Sequence, residues 1–214
     1  MRTHILDDLF RSKCLLCRTP MDPGQRRICP KCLYGEAAAD VQRSGRNFEV
    51  CWSPMTYTDN VRRAILQFKF HDQPGAATEF GHILSDCIRR HLQGQYDLIT
   101  WVPVSQQRLR QRGYDQSMLI ALAAALDLDQ ATPALLEKTV DIPAQSTLQD
   151  EKARLANVQG VYRALEPELI RDRRILLIDD VITSGATLEE AAGTLRDAGA
   201  KRVLCATLVS AHPE

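Results

Sequence analysis

Two adjacent acids, Asp179 and Asp180, stand between an apolar run at 175–178 and a hydroxyl-rich glycine turn, Thr183-Ser184-Gly185-Ala186-Thr187. These residue types in this order suit a phosphorylated sugar. The apolar run reads as a buried parallel strand ending near Asp180. Leu188, Ala191, Ala192 and Leu195 then recur at helical spacing, and Gly199 is set to close that helix with a left-handed cap. A helix starting near Thr187 turns unpaired backbone N–H groups and the positive end of its dipole toward the turn, which favours a bound phosphate. Thr183, Ser184 and Thr187 add hydroxyl donors. Two carboxylates beside a phosphate are repulsive unless something lies between them. Ribose hydroxyls donate to ionised carboxylates, and Mg²⁺ bridges carboxylates to polyphosphate through oxygens and waters. The expected ligand is therefore a phosphorylated ribose with a metal. Neighbouring side chains of a strand point to opposite sides, so one acid is expected to touch the sugar directly and the other is left for a structural role.

The second cluster with chemistry is Cys14-x2-Cys17 and Cys29-x2-Cys32, two knuckles separated by eleven residues. Tetrahedral Zn²⁺ takes four thiolates at about 2.3 Å, and paired CxxC turns deliver them two at a time. Pro20, Pro23, Gly24 and Pro30 supply turns. Disulfides would need an oxidising compartment, yet the first ten residues lack the apolar centre of a signal peptide. A site closed by four sulfurs is structural, not catalytic. Cys51, Cys87 and Cys205 lie on apolar stripes or strands and read as core.

These clusters need a scaffold, and 214 residues make one ordinary domain plus a small metal module. Lys and Arg balance Asp and Glu at 27 each, so a sequence-blind electrostatic nucleic-acid binder is not expected from global charge. No apolar run reaches the length of a membrane span. The expectation is a soluble, cytoplasmic protein with a metal module at 1–46 and a second domain at 47–214, joined by the polar stretch Arg43-Ser44-Gly45-Arg46-Asn47.

Periodicity then predicts a strand near 50–57, a helix from Asp59 with Asp59 as its N-cap, and a helix at 77–93 ended by Gly94. A strand at 97–104, a helix at 114–126, strands at 135–140 and 158–163, the acidic strand with its helix, and a last strand at 203–209 follow. Alternating strands and helices imply a parallel α/β sheet. Two further segments bring polar groups to its carboxyl end. One carries Arg108, Arg110, Arg112 and Gly113, whose guanidiniums suit a pyrophosphate but equally fit a solvated basic turn. The other is the long loop 141–157 with Gln145, Lys152 and Arg154, which has the length of a lid. His71, His82, His91 and His212 have no motif context that makes them bases.

Residues 175–187 resemble, at every position, the thirteen-residue phosphoribosyl pyrophosphate signature of type I phosphoribosyltransferases. An ordinary doubly wound strand with a polar loop at its carboxyl end is the alternative. Nearly the whole chain in turn resembles the ComF family, with its ComFC- and GntX-type members. The resemblance rests on the four-cysteine ribbon, the helix Val61-Arg62-Arg63-Ala64-Ile65-Leu66-Gln67-Phe68-Lys69-Phe70, and Val102-Pro103-Val104. It continues through Arg112-Gly113-Tyr114-Asp115-Gln116 and Gln145-x2-Leu148-x5-Arg154-x2-Asn157-Val158-x-Gly160. That family usually has Asn at the position of Asp115 and Thr at the position of Ser184, and a Gly-containing turn where this chain reads His71-Asp72-Gln73-Pro74 after Phe70.

The resemblance implies a type I phosphoribosyltransferase-like parallel sheet that binds phosphoribosyl pyrophosphate with Mg²⁺ and serves uptake or use of external DNA. Asp179 and Asp180 would hold ribose and metal, Thr183, Ser184, Gly185, Ala186 and Thr187 the 5′-phosphate, and Arg112 and Arg154 the pyrophosphate. Transfer to an unidentified acceptor is one reading. The others are a non-catalytic ligand sensor, and an adaptor that docks single-stranded DNA or a DNA-translocating competence ATPase through the zinc ribbon.

Overall fold

A computed structural model of the chain describes residues 13–22, 26–35, 38–70, 75–139 and 160–211. The acidic strand is its centre. Strand β6 (Arg174–Ile182) runs parallel to β7 (Arg202–Ser210) on one side and to β3 (Leu98–Trp101) on the other. Beyond β7 lies β2 (Cys51–Thr56), again parallel, and β1 (Ala38–Arg43) closes that edge antiparallel, giving the order β1-β2-β7-β6-β3. Alternation explains why β6 and β7 are apolar on both faces. Leu176, Ile178, Leu204, Ala206 and Leu208 enter one buried cluster, and Ile175, Leu177, Val203 and Cys205 the other.

Helices α2 (Asp59–Phe70), α3 (Ala76–His91) and α5 (Gln116–Leu128) cover the first face, and α7 (Ala186–Asp197) covers the second. Each starts where its local chemistry directs. The Thr58 hydroxyl accepts from the Val61 N–H at 3.4 Å, so Thr58 caps α2 and Asp59, the expected cap, is its first helical residue. Asp115 caps α5 through the Met118 N–H, which moves that helix two residues beyond its expected start. The arginine-rich stretch after β3 is itself helical: α4 (Gln106–Arg112) is capped by Ser105 and stopped by Gly113 at φ 78°.

The expected parallel sheet is present with two differences. β1 is antiparallel, and the short strands β4 (Leu136–Lys138) and β5 (Tyr162–Ala164) pair only with each other, outside the main sheet. The remaining short helices are α1 (Pro30–Leu33) and α6 (Pro167–Ile170). The loop expected as a lid, with Gln145, Lys152 and Arg154, lies outside the described residues, as do His71 and His212.

The four-cysteine module is packed onto the helices rather than hung from them. Cys14, Leu15, Leu16, Met21 and Ile28 are buried in the same cluster as Ile65, Phe68 and Ile83. Polar ties lock this contact: Arg63 Nη2 donates to the Leu16 carbonyl at 2.7 Å, and the buried Glu79 accepts from the Arg27 N–H at 3.1 Å. The stretch expected as a linker is also docked. Glu189 of α7 accepts from the N–H groups of Arg46 and Asn47 at 2.6 and 2.9 Å. Among the described residues no helix is long and apolar enough to cross a membrane.

The tightest helix contact is between α3 and α5. A Cβ on Gly81 would fall 2.4 Å from Ala123 Cβ and 2.9 Å from the Ala124 nitrogen. Backbone cannot yield as a side-chain tip does, so Gly81→Ala should cost about 1–3 kcal/mol despite the better helix propensity of Ala. Urea unfolding of the variant measures this, and an unchanged midpoint would mean that the helices separate freely.

Candidate functional site

The carboxyl end of β6 gathers its polar groups from four elements. Asp179 and Asp180 are both buried, at 9 % and 8 % exposure, and take different partners. Asp179 Oδ1 accepts from the Ser117 hydroxyl of α5 at 2.7 Å and from the Asp180 N–H at 2.8 Å. Asp180 Oδ2 lies 2.7 Å from Lys69 Nζ, at the end of α2. The two adjacent acids thus differ in partner, a neutral hydroxyl on one and a cation on the other. Burial, and then the charge of Asp180, push the Asp179 carboxyl up to about 7.

The turn after β6 runs through Gly185 at φ 82°, a left-handed conformation that glycine adopts without strain, and Gly185 is the N-cap of α7. Having no side chain, it leaves the first N–H groups of this twelve-residue helix to other acceptors. Thr183, Ser184, Ala186 and Thr187 therefore surround a helix N-terminus, with the Ala186 N–H 3.4 Å from Ser184 Oγ. From the other side, Arg43 at the end of β1 donates through Nη1 to the Thr183 carbonyl. This contact ties the turn to the edge strand β1.

Arg112, the last residue of α4, stands near enough to Asp180 to feel its charge. Its Nη1 donates to Gln116 Oε1 at 2.9 Å, and its guanidinium carbon sits 4.8 Å from the centre of the Phe70 ring. Burial lowers its pKa while the charge of Asp180 works in the opposite direction. Asp115, whose part was open from sequence, is structural here. Its two oxygens accept from the Met118 N–H and, at 2.9 Å, from the Val104 N–H, so it ties the exit of β3 to α5. Burial raises its pKa and these N–H groups oppose the rise. Arg154 lies outside the described residues.

Sequence reasoning overlooked Ser117 and Arg43. Ser117 directly follows the motif ending at Gln116, so its place was within reach. Arg43 had no signal, because a six-residue polar edge strand reads as loop.

The four cysteines form a second cluster. Their sulfurs all lie within 4.8 Å of one another, and Cys17 and Cys29 are 3.6 Å apart, close to the roughly 3.8 Å edge of a tetrahedron with metal–sulfur bonds of about 2.3 Å. The Cys29 N–H points at Cys14 Sγ at 3.4 Å, a donor aimed at a sulfur that would be charged. Thr19 hydrogen bonds bring the Cys17 thiol down to about 6, whereas burial and crowding by the other thiols push Cys32 up. A divalent ion relieves this crowding, so the donor set fits one. Cys51, Cys87 and Cys205 are fully buried. His91 stacks on Trp52 at 3.8 Å and pairs with Asp40, while His82 pairs with Asp127.

A central parallel strand ending in two buried acids, a left-handed glycine turn and a helix N-terminus defines a phosphoribosyltransferase-type domain. Residues 121–214 match the family model described as phosphoribosyl transferase domain. Over 219 aligned residues the chain is 24% identical to Competence protein F of Haemophilus influenzae, covering 92% of this chain and 96% of that protein. It is 26% identical over 208 residues to Competence protein ComFC of Bacillus subtilis, covering 87% and 78%. Among solved structures, glutamine phosphoribosylpyrophosphate amidotransferase from B. subtilis aligns with a TM-score of 0.46 and 19% identity, over 66% of this chain and 30% of that one. These similarities to competence proteins F and ComFC, together with the phosphoribosyl transferase domain, support the resemblance to the ComF family.

The Asp179 carboxyl carries a pH signature. Between its ordinary value of 3.8 and about 7, the folded chain holds a proton that the unfolded chain has released, so raising the pH through this window costs folding stability. Asp179→Asn keeps an acceptor for Ser117 and for the Asp180 N–H but removes the titration. It should match the parent near pH 4 and exceed it by roughly 2–4 kcal/mol at pH 8. Denaturant unfolding at the two pH values tests this, and no gain at pH 8 would mean that the charge is already compensated in the fold.

Proposed function

We propose that the chain binds phosphoribosyl pyrophosphate with Mg²⁺ at the end of β6 and acts as a phosphoribosyltransferase in the handling of DNA taken up from outside the cell. The observation that carries the ligand is the meeting of two buried carboxylates with a glycine turn at a helix N-terminus, beside Lys69 and Arg112. The link to DNA uptake is supported by the names of the two competence proteins it is similar to. The family and the thiol-rich module fit work in the cytoplasm.

In this reading Asp179 and Asp180 accept hydrogen bonds from the ribose hydroxyls, the 183–187 turn donates to the 5′-phosphate, and Arg112, with Arg154, faces the pyrophosphate. Asp180 is the acid suited to a cation, since it already pairs with an ammonium in this fold. Mg²⁺, when bound with the ligand, would supply positive charge beside the pyrophosphate, with Asp180 the residue to hold it. The bond from C1 of the ribose to the pyrophosphate oxygen breaks, its electron pair departing with the oxygen. A nucleophile of the acceptor adds to the opposite face of C1. The protein contributes position and electrostatic stabilisation.

The deciding experiment is calorimetric titration with phosphoribosyl pyrophosphate and Mg²⁺, followed by assay for released pyrophosphate. Binding with acceptor-dependent release supports the transferase, and binding with no release from any acceptor makes the chain a ligand sensor. Asp180→Asn should weaken binding about tenfold or more without unfolding the protein, and normal binding by this variant would remove Asp180 from the site.

We also propose that Cys14, Cys17, Cys29 and Cys32 hold one structural Zn²⁺. A second role for this module, as an adaptor for single-stranded DNA or a DNA-translocating ATPase, is favoured by Tyr34, which is 80% exposed directly after the second knuckle. Stripping the metal with a chelator should release one zinc per chain and lower Tm by roughly 10 °C, because Leu15, Leu16 and Ile28 lose their anchor in the core. Salt-dependent binding to single strands that disappears with the zinc would support the adaptor; an unchanged Tm and no released metal would refute the site.

A further inference from the structure

Lys69 and Asp180 make an ion pair at the point where a ligand-borne cation would sit. The ammonium is 2.7 Å from the carboxylate, and the side chains are 22% and 11% exposed, so the pair is only partly screened by water. Its backbone is held. Val61, Ala64, Ile65 and Phe68 bury the inner face of α2, and the Phe68 carbonyl, one residue before Lys69, accepts from the Tyr114 hydroxyl. The lysine stem beyond that anchor has four rotatable bonds and can swing.

The other groups here are engaged differently. Asp179 is occupied by Ser117 and the Asp180 N–H, and Arg112 by Gln116 and the face of Phe70. Asp180 is thus the carboxylate best placed for a divalent ion, and its direct cationic partner is Lys69. An ammonium and a divalent ion on one carboxylate would bring like charges within a few ångströms of each other, which is strongly unfavourable in a partly buried site.

We propose that Lys69 is a resident counter-ion that excludes a free divalent cation from Asp180 until an anionic ligand arrives to take the lysine. The incoming phosphate oxygens receive the Lys69 ammonium, and the metal that travels with them receives Asp180. No covalent bond changes. Metal and polyanion consequently bind as one exchange, each raising the affinity of the other by the same factor. This deepens the reading of the site given above and rests on it for the identity of the anion, but the exclusion of free metal does not depend on that identity.

The test uses the zinc-loaded full chain and Mn²⁺ alone, followed by electron paramagnetic resonance. Lys69→Met keeps the apolar stem and removes the charge. It should bind Mn²⁺ about tenfold more tightly than the parent or better, and the gain should vanish in Lys69→Met combined with Asp180→Asn. Calorimetry with phosphoribosyl pyrophosphate and Mg²⁺ should show Lys69→Met binding that complex about tenfold more weakly, because the anion has lost its ammonium. Equal Mn²⁺ affinity in parent and Lys69→Met overturns the proposal, as does a gain that survives Asp180→Asn. Undiminished binding of the ligand complex by Lys69→Met overturns the transfer of the lysine. A gain in Mn²⁺ affinity in a protein that never binds phosphoribosyl pyrophosphate upholds the counter-ion and refutes the ligand assigned to the site. Circular dichroism of each variant establishes that it is folded, and Lys69→Gln, which keeps a polar end, repeats the measurement if Lys69→Met is not.

Discussion

A buried carboxylate on a strand has to be neutralised, hydrogen-bonded or protonated, and β6 carries two of them near its carboxyl end. Much of the surrounding architecture answers that constraint. The strand order places β6 between β7 and β3 in the parallel part of the sheet, with helices packed on both of its faces. α5 supplies a hydroxyl to one acid and α2 an ammonium to the other, and the glycine turn leads into the positive end of a helix dipole. The two acids solve the same problem in opposite ways. Asp179 leans toward its neutral form, whereas Asp180 is matched by a cation.

The central motif was legible because every layer of it follows from local rules. An apolar run buried on both faces, a glycine turn and a periodic helix are each written in consecutive residues, and 175–195 holds all three. The cysteine knuckles were legible for the same reason. What sequence did not disclose depended on contacts between distant segments. The Ser117–Asp179 bond spans 62 positions and the Arg43–Thr183 contact 140. Lys69 could be named from its motif but not assigned a partner, since the pairing arises only when α2 packs across the sheet. The helix carrying the arginines after β3 went unread because seven residues are too few to display helical periodicity; the Ser105 and Gly113 caps were the readable signs.

Asp115 shows how one substitution relative to family habit need not add a ligand-binding charge. Its carboxylate is consumed by two backbone N–H groups, one on each side of the α4 excursion. An Asn oxygen could accept only with a single carbonyl, so the acid serves the local geometry better, with burial opposing its charge and the N–H donors favouring it.

The antiparallel strand β1 also finishes the sheet. Asp40 on it is clasped by Arg90 and His91 of α3, so its outward row of polar side chains borders solvent while its inner edge satisfies β2. A chain trimmed to begin after residue 46 would lose that strand and leave the backbone groups of β2 that face β1 unpaired, as a sticky open margin beside the buried Cys51 and Met55. The strand that follows the four cysteines therefore covers that margin of the sheet and carries Asp40, Gln42 and Arg43 on the edge it presents instead.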